Sequence, residues 1–260
     1  MINLSVFIIC ENEAERIGMV LESVKNLSQD IVVVDSGSTD GTLEIVSRYT
    51  DRIFHRDWTG FGDQKVYAEG LCKYDWILNL DADEVITPEA SSSIKKVIAE
   101  DPKNLGQSPG YELRVTMMSR LTVRQQPSIL APYNYTGRFY DRRYAGFSSN
   151  AVHDKLTNRD TGSVSFPRLK GDILHYSIKS YSHMWEKIGR YSQLQAEEWH
   201  RKGRKAPLYS IVWIVPFFFI KHYLFRRQFA LGFEGLVVAV ALTAGRALRV
   251  IMLKELEKRH

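Results

Sequence analysis

The sequence contains a pair of carboxylates whose spacing suits a divalent cation, Asp81-Ala82-Asp83. The pair follows the apolar residues 76–80, which predict a short strand that ends where the carboxylates begin. Two carboxylates separated by one residue at a strand end can reach the same ion, and Mg²⁺ and Mn²⁺ prefer oxygen ligands of this kind. Such an ion neutralises the charge that develops on a leaving diphosphate. Exposed acidic loops are common, so the triplet alone does not separate a metal site from a surface loop.

A second polar loop, Asp35-Ser36-Gly37-Ser38-Thr39-Asp40-Gly41, follows the β-branched residues 31–34. Asp35, at the end of the predicted strand, can accept a hydrogen bond from a base N–H or a ribose hydroxyl. Gly37 allows close approach of a ligand to the backbone. The alternative interpretation is a capped turn between strand and helix, with Thr39 or Asp40 as the cap. The capped turn accounts for Asp40, and we predict a ligand contact only for Asp35.

The elements that must position these residues alternate between strand and helix signals over the first hundred residues. Strands are predicted at 5–10, 31–34, 52–55 and 76–80, with helix-like stretches that extend to about residue 27 and over 42–49 and 61–72. Short apolar strands that alternate with helices indicate a parallel sheet covered on both faces. In such sheets ligands bind beyond the carboxyl ends of the strands. Because residues 11–13, 35–40 and 81–84 all follow strands, the pattern predicts one nucleotide-binding cleft.

The middle of the chain, residues 110–176, is rich in Arg, Tyr, Gly and Ser, and we interpret it as the acceptor-facing half of the same domain. Short strands are predicted at 111–115, 138–140 and 173–176. Arg138, Arg142 and Arg143 lie on the predicted acceptor side, where the planar guanidinium suits phosphate and carboxylate recognition. A solvated basic loop is the alternative interpretation of these three arginines.

The C-terminal residues 179–260 are predicted to be helical and basic, with 15 Lys and Arg against 6 Asp and Glu. The helix-like stretch 181–203 is followed by an apolar run at 208–220, which contains three consecutive phenylalanines, and by another at 229–253. Neither run reaches the ~20 uninterrupted apolar residues of a spanning helix. Aromatic side chains beside Lys and Arg are typical of interfacial helices at an anionic membrane surface. Two helices that pack in a core are the alternative.

The composition excludes several other classes of protein. Of the 260 residues, 44% are hydrophobic and 25% are charged, as in a soluble globular chain. Two cysteines, Cys10 and Cys72, make no disulfide framework, so we expect a reducing compartment. The first residues lack a basic region and a cleavage site, so no secretory signal is expected. The basic charges of the tail flank apolar helices rather than exposed stacking aromatics, which argues against nucleic acid as a partner.

Three motifs together carry a family resemblance. They are Ser5-Val6-Phe7-Ile8-Ile9-Cys10-Glu11-Asn12-Glu13, then Val32-Val33-Val34-Asp35-Ser36-Gly37-Ser38-Thr39-Asp40-Gly41-Thr42, and then Leu80-Asp81-Ala82-Asp83-Glu84. In this order they resemble the family 2 inverting glycosyltransferases with the GT-A fold. Gly60-Phe61-Gly62-Asp63-Gln64-Lys65, Ala151-Val152-His153-Asp154 and Leu174-His175-Tyr176-Ser177 resemble the branch that adds glucose or a related sugar to the inner core of bacterial lipopolysaccharide.

The resemblance implies an α/β architecture: a Rossmann-like, mostly parallel mixed sheet flanked by helices. Residues 1–178 would form the GT-A domain, with a nucleotide-sugar-binding half at 1–100 and an acceptor half at 101–178. Residues 179–260 would form a helical, basic extension at the membrane interface. We therefore expect a peripheral protein on the cytoplasmic face of a bacterial inner membrane.

The resemblance also implies roles for residues of the donor side. Glu13 and Asp35 would contact the uridine of the donor, and Gln64 and Lys65 would lie near the nucleotide or its phosphates. Asp81 would lie by the ribose and the metal. Two further roles concern the divalent metal, Mg²⁺ or Mn²⁺: Asp83 would be its principal ligand, and His175 would be either a further ligand or a hydrogen-bonded strand histidine.

Inversion by direct displacement needs one base that takes the proton from the acceptor hydroxyl. By resemblance that base is Asp154, although relatives often have Glu at this position, which has a longer reach. Asp172 is the main rival and Asp141 a weaker one. His153 would orient the base or bind the acceptor.

These expectations lead to a function: transfer of a hexose, glucose from UDP-glucose, to a lipopolysaccharide core or another lipid-linked acceptor. The alternative enzyme is a polyprenyl-phosphate glycosyltransferase, which shares the N-terminal motifs and has a membrane-facing tail. A third class is a non-catalytic, nucleotide-sugar-binding protein at the membrane.

Overall fold

The computed structural model describes residues 2–100, 108–119, 127–147 and 155–258. The chain divides into two compact units. The first comprises Met1–Thr116 and Tyr133–His175, and the second comprises Met117–Pro132 and Tyr176–His260. The expected boundary at residue 178 lies close to the end of the first unit. Residues 117–132, which we assigned to the acceptor half, belong to the second unit.

The first unit begins with four parallel strands that follow the predicted alternation with helices. The strands are β1 (Leu4–Cys10), β2 (Asp30–Asp35), β3 (Ile53–His55) and β4 (Trp76–Asp81). Between them lie the helices α1 (Ile17–Val24), α2 (Thr42–Val46) and α3 (Phe61–Leu71). β1 is central, because it pairs with β2 on one side and with β4 on the other.

The sheet then continues with strands from the middle of the chain. These are β5 (Glu84–Ile86), β6 (Gly110–Met117), β7 (Tyr133–Asp141) and β10 (Arg168–His175), and the helix α4 (Pro88–Glu100) follows β5. The order is β3-β2-β1-β4-β7-β6-β10-β5, with β7 antiparallel to β4 and β6. The short strands β8 (Ala145–Gly146) and β9 (Thr157–Asn158) form a separate pair. This mixed sheet flanked by helices confirms the expected GT-A-like α/β class.

Alternate residues of the central strand pack on opposite faces of the sheet. Val6 and Ile8 belong to one core cluster, together with Leu21 of α1. Phe7 belongs to the other, together with Ala68 of α3. Because both faces are covered, the parallel strands are continuous apolar runs rather than alternating ones.

One close approach fixes β10 against α4. Gly171 has a φ of +94°, and a Cβ at this position would lie 2.2 Å from the backbone nitrogen of Ala90. Only glycine fits here, since any side chain would clash with the helix backbone and adopt a conformation that L residues rarely populate. The approach holds the strand that ends at His175.

The second unit contains the helices α5 (Tyr181–Arg201), α6 (Ile211–Ile220) and α7 (Gly232–Lys258). Short 3₁₀ turns at Leu208–Ser210 and Gln228–Leu231 and a π turn at Lys221–Phe225 connect them. The Ser180 hydroxyl accepts a hydrogen bond from the backbone N–H of His183 and caps α5. α5 packs on α7, where the Ser192 hydroxyl donates to the carbonyl of Gly245 at 2.9 Å.

Two helical segments of this unit are long and apolar enough to cross a membrane, by length and composition. Leu208–Phe225 has a mean hydropathy of 1.5 and none of it is buried, whereas Gln228–Lys258 has a value of 2.0 and is 44% buried over its apolar window. We expected shorter runs. The helical segments are longer because they continue through charged residues such as Lys221 and Arg246. Core helices of soluble proteins also meet these criteria.

Candidate active site

The carboxyl ends of β2, β1 and β4 lie side by side, which brings the polar motifs to one edge of the sheet. In the strand register Cys10 pairs with Asp35, and Ile9 pairs with Asp81. The predicted donor residues Glu13, Asp35 and Asp81 therefore follow three adjacent strands, as the sequence pattern required.

The loops after β1 and β2 are tied to each other by hydrogen bonds. The backbone N–H of Asn12 donates to the hydroxyl of Ser38 at 2.7 Å, and the Asn12 side-chain oxygen accepts from the N–H of Thr39 at 2.8 Å. The N–H of Glu13 donates to the hydroxyl of Thr42 at 2.8 Å. Asn12 has a φ of +56, a left-handed conformation that asparagine tolerates better than most residues. The two loops therefore form a single hydrogen-bonded unit.

Asp35 anchors its own loop. Its Oδ2 accepts hydrogen bonds from the N–H groups of Gly37 and Ser38, both at 2.9 Å, and its Oδ1 accepts from the Ser38 hydroxyl. The residue is buried. Gly37 has a φ of +104, which requires glycine. Asp40 accepts a hydrogen bond from the N–H of Thr42 at 3.2 Å, but the N-cap of α2 is Gly41, so neither Thr39 nor Asp40, the predicted caps, is the cap residue. The contact of Asp35 with uridine stays a prediction.

Asp81, whose side chain is 33% exposed, contacts a cluster of buried charged residues. The guanidinium of Arg138 donates to Asp81 Oδ2 at 2.7 Å and to Glu84 Oε1 at 2.5 Å, and also to the side-chain oxygen of Asn79 at 3.0 Å. The Nζ of Lys65 lies 3.5 Å from Asp81 Oδ1. Two cations thus face two carboxylates at the end of β4.

The two carboxylates of this cluster have opposite pKa shifts. Burial disfavours the ionised form of Asp81, but the charges of Arg138 and Lys65 outweigh it and hold the pKa of Asp81 well below its usual range. Burial raises the pKa of Glu84 above its usual value, and the neighbouring charge of Asp81 raises it further. Of the two carboxyl groups, Asp81 is therefore the one that ionises more readily.

The structure gives Arg138, which we predicted to bind the acceptor, buried partners within the first unit. Its side chain is only 7% exposed, and its two terminal nitrogens donate to Asn79, Asp81 and Glu84. Its guanidinium neutralises the carboxylates of Asp81 and Glu84. A buried cation without these partners would be strongly destabilising.

Asp83 links the β1 loop to the end of β10. Its Oδ2 lies 3.2 Å from the guanidinium of Arg16 and 3.3 Å from Nε2 of His175. Arg16 also makes a bidentate pair with Glu13, at 2.8 and 2.7 Å. Burial lowers the pKa of His175, but the hydrogen bond to Asp83 and the nearby carboxylate charges outweigh it, so that the pKa is raised above its usual value.

The donor set fits a divalent cation in part. Asp81 Oδ1 is buried without a hydrogen-bond partner, and Asp83 and His175 present ligand atoms within 3.3 Å of each other. Over the described ranges of the chain, no group of three or more His, Cys, Asp or Glu side chains is assembled as a metal site. An ion at Asp83 and His175 would therefore take its other ligands from water and a diphosphate, as Mg²⁺ commonly does.

The structure places the two predicted residues of α3 differently from each other. Lys65 is buried beside Asp81, and its Nζ also lies 5.1 Å from the ring centroid of Phe147. The amide nitrogen of Gln64 donates to the Ser36 hydroxyl and to the carbonyls of Arg56 and Asp57. Gln64 thus holds α3 to the loops after β2 and β3, whereas Lys65 reaches the acidic triplet.

Several candidates lie away from this edge of the sheet. Asp141 pairs in register with Trp76, at the start of β4, and is bound by Arg143. Arg142 lies beside it and donates to the carbonyl of Cys72. Arg142 and Arg143 are therefore at the opposite end of β4 from Asp81, which does not favour the acceptor role predicted for them.

The two other candidate bases, Asp172 and Asp141, form ion pairs with arginines. Asp172 is held in a bidentate pair by Arg114, at 2.6 and 2.7 Å, and Asp141 is held by Arg143. Asp154 and His153 lie outside the described residues. The roles predicted for them stay predictions.

Sequence reasoning missed three members of the site: Arg16, Asn79 and Glu84. Glu84 directly follows the acidic triplet, and Arg16 follows Glu13 at the spacing of one helical turn, so a signal existed for both. Asn79 is a polar residue within an apolar strand, which is a sign of a buried hydrogen-bond partner.

Comparisons with known proteins identify the family of the chain. The family model described as "Glycosyl transferase family 2" matches residues 5–154. An uncharacterized glycosyltransferase of Rickettsia bellii is 34% identical over 258 residues, which cover 97% of this chain and 86% of that protein. The lipopolysaccharide core biosynthesis glycosyltransferase LpsC of Rhizobium meliloti is 28% identical over 250 residues, which cover 91% of this chain and 86% of LpsC.

One solved structure, the mannosyltransferase PcManGT from Pyrobaculum calidifontis in complex with GDP-Man and Mn²⁺, aligns with a TM-score of 0.45. It is 18% identical and the alignment covers 99% of this chain and 80% of that chain. The chain belongs to glycosyl transferase family 2 and is a nucleotide-sugar-dependent glycosyltransferase.

Proposed function

We propose that this enzyme transfers glucose from UDP-glucose, with inversion, to a lipopolysaccharide core or another lipid-linked acceptor. The observation that carries the proposal is the meeting of Asp81, Asp83, Lys65 and His175 at the carboxyl ends of β1 and β4 and the end of β10. The two carboxylates can bind a divalent cation, and the neighbouring lysine can contact phosphate oxygens. Together they form a suitable site for the diphosphate of a nucleotide sugar. The relative LpsC, named for lipopolysaccharide core biosynthesis, supports the acceptor class.

The donor would bind along the edge formed by the three strand ends. Glu13 and Asp35 would contact the uridine, Gln64 and Lys65 would lie by the nucleotide and its phosphates, and Asp81 would lie by the ribose. Lys65 supports this arrangement, because a buried ammonium 3.5 Å from Asp81 is held where diphosphate oxygens would approach a cation.

Asp83 and His175, together with Asp81, would hold Mg²⁺ or Mn²⁺. A bound ion of this kind stabilises negative charge on the departing diphosphate. The guanidinium of Arg16 pairs with both Glu13 and Asp83. These two ion pairs would hold the Asp83 carboxylate in position to bind the metal.

The base in this proposal is Asp154. It would take the proton of the acceptor hydroxyl as the hydroxyl oxygen bonds to the anomeric carbon, and the bond from that carbon to the diphosphate breaks with release of UDP. His153 would orient Asp154 or contact the acceptor. The pairing of Asp172 with Arg114 and of Asp141 with Arg143 favours Asp154 over both rivals.

The C-terminal unit would lie on an anionic membrane surface, on the cytoplasmic face of a bacterial inner membrane. Trp213 and Phe217 of α6 are 74% and 61% exposed, and Lys221 and Arg226 follow them directly. Exposed aromatic residues beside cations are typical of helices that bind at the boundary of headgroups and acyl chains.

A polyprenyl-phosphate glycosyltransferase is the second candidate. The two helical segments of spanning length favour it, because such enzymes with long tails usually cross the membrane. A non-catalytic protein is set aside, since the chain belongs to a family of transferases and both carboxylates of the triplet lie in the site.

A donor and acceptor screen with the purified full-length protein tests the proposal. Truncated lipopolysaccharide cores and a polyprenyl phosphate would be offered with UDP-glucose, UDP-galactose and GDP-mannose, and the product anomer would be assigned by NMR. We expect β-glucosyl transfer to a core acceptor. Transfer to the polyprenyl phosphate alone would establish the second candidate, and a retained anomeric configuration would overturn the displacement mechanism.

A further inference from the structure

Three basic side chains of the C-terminal unit surround one aromatic ring, that of Phe218. The Nζ of Lys221 lies 5.5 Å from the ring centroid, and the guanidinium carbon of Arg246 lies 4.9 Å from it. The imidazole of His222 stacks on the same ring, with centroids 6.1 Å apart and an angle of 29° between the planes. We call Lys221, His222 and Arg246 the Phe218 cluster. Residues from α6, the π turn and α7 thus meet at one point.

The Phe218 cluster holds positive charge that no carboxylate neutralises within the part of the chain that the structure describes. Two other cations of this unit form ion pairs: Lys202 with Glu198 and Lys254 with Glu257, each at 2.5 Å. The Nε2 atom of His222 is buried and has no hydrogen-bond partner. Burial, and then the charges of Arg246, Arg226 and Lys221, lower the pKa of His222 and favour its neutral ring, so the positive charge of the cluster comes from Lys221 and Arg246. Unpaired cations gathered at one point favour binding of an anion.

The surroundings of the cluster indicate which anion. Trp213, Phe217 and Phe225 lie on the adjoining turns of helix and are 74%, 61% and 80% exposed. A free phosphate ion would gain nothing from these side chains. A phosphate that carries acyl chains would place its headgroup at the cations and its chains against the aromatic residues.

We propose that Lys221, His222 and Arg246 form a binding site for the phosphate headgroup of an anionic lipid. Arg246 supplies a planar fork for two phosphate oxygens, Lys221 supplies a point charge, and the ring N–H of the neutral His222 would donate a further hydrogen bond. The inference rests on the membrane part of the proposed function and makes it specific, since it replaces general attraction to a surface with a defined site.

Vesicle flotation of the full-length protein tests the site. Phosphatidylcholine vesicles with and without phosphatidylglycerol would be compared for the wild type, for the double variant Lys221→Gln/Arg246→Gln, and for the matched control Lys187→Gln/Arg190→Gln, which removes two exposed cations from α5. General attraction accounts for about fivefold in binding per cation. We expect the cluster variant to lose about tenfold more binding to phosphatidylglycerol than the control does, because it also loses specific contacts.

Equal losses in the two variants would overturn the site and leave general membrane attraction intact. Failure of the wild type to bind either vesicle would overturn the membrane part of the proposed function as well. The exposed single variant Lys221→Gln, with circular dichroism of each protein, separates a lost contact from a lost fold. A competition experiment adds inorganic phosphate at constant ionic strength. If phosphate released the wild type completely from the vesicles, at concentrations that leave binding of the control variant unchanged, the site would be assigned to free phosphate instead of a lipid. Donor turnover is measured separately and reports only on the first unit.

Discussion

Asp83 Oδ2 lies 3.3 Å from Nε2 of His175, so that the acidic triplet after β4 meets the last residue of β10. Far apart in sequence, the two residues become neighbours because β10 pairs antiparallel with β5, with His175 opposite Glu84. Each is a common ligand of divalent metals, and each restricts the position of the other.

Replacement of Asp83 by alanine should abolish metal-dependent transfer, with a loss of about 10²–10³-fold in kcat, because the charge of the leaving diphosphate would no longer be neutralised. Turnover would be measured over a range of Mn²⁺ concentrations. Asp75→Ala, which removes a half-exposed carboxylate at the other end of β4, is the matched control. Full activity of the Asp83 variant would remove this residue from the metal site.

His175→Gln separates a metal ligand from a hydrogen-bonded strand histidine. If His175 is a ligand, the Mn²⁺ concentration for half-maximal activity should rise by about 10–100-fold, the size of effect seen when metal-site contacts are lost. Isothermal titration calorimetry of Mn²⁺ in the presence of UDP measures the metal affinity directly, without turnover. Unchanged metal affinity with reduced thermal stability would show that the histidine serves only the strand.

Arg138→Met should destabilise the protein by about 3–5 kcal/mol, because Asp81 and Glu84 would lose the buried cation that both contact. Arg168→Met is the control, since its side chain is 62% exposed and its pair with Glu112 should contribute less than about 1 kcal/mol. Urea unfolding measures both. A small loss of stability together with weaker acceptor binding would restore the acceptor role that the sequence suggested for Arg138.

Asp154→Asn should retain UDP binding and lose transfer, because the amide cannot take a proton from the acceptor hydroxyl. The exposed loop residue Asp160 provides a control, as Asp160→Asn. UDP affinity would be measured by titration calorimetry and transfer by product formation. Transfer at the wild-type rate would assign the base to another residue.

Both cysteines should be inert toward thiol reagents in the folded protein at neutral pH. Burial raises the pKa of Cys72 to about 12, and burial together with the charge of Asp35 raises the pKa of Cys10 well above its usual range. Since the folded-state pKa values lie above neutral pH, both groups remain thiols, and the thiolate is the reactive form. We expect no reaction with Ellman's reagent until denaturant is added, when two thiols per chain should appear. Rapid labelling of the native protein would contradict the burial.

The early part of the fold could be predicted closely because it depends on local patterns. All four parallel strands coincide with apolar runs that end in turn residues, and each strand begins and ends within one residue of the predicted position. By contrast, β5 and α4 went unrecognised. β5 has only three residues, too few for a periodic signal, and α4 begins at Pro88, which is compatible with a first helical turn but resembles a break in sequence.

The site was predictable only where function requires residues at strand ends. Asp81 and Asp83 are in this group. Arg138 was recognised as a charged residue, but its burial depends on the antiparallel pairing of β7 with β4, which no local pattern reveals. The same pairing carries Arg142 to the other end of the strand, so two residues four positions apart in one segment have different surroundings.

The mutual hydrogen bonds of the loops after β1 and β2 have a thermodynamic consequence. Hydrogen bonds of Asn12, Ser38 and Thr42 already join the two loops in the folded chain. The conformational entropy of both loops is therefore lost during folding rather than on association with a nucleotide. Such preorganisation lowers the ordering cost of recognition. A substitution such as Ser38→Ala should therefore weaken nucleotide affinity without removing any direct contact to the ligand, by returning freedom to the unbound loops.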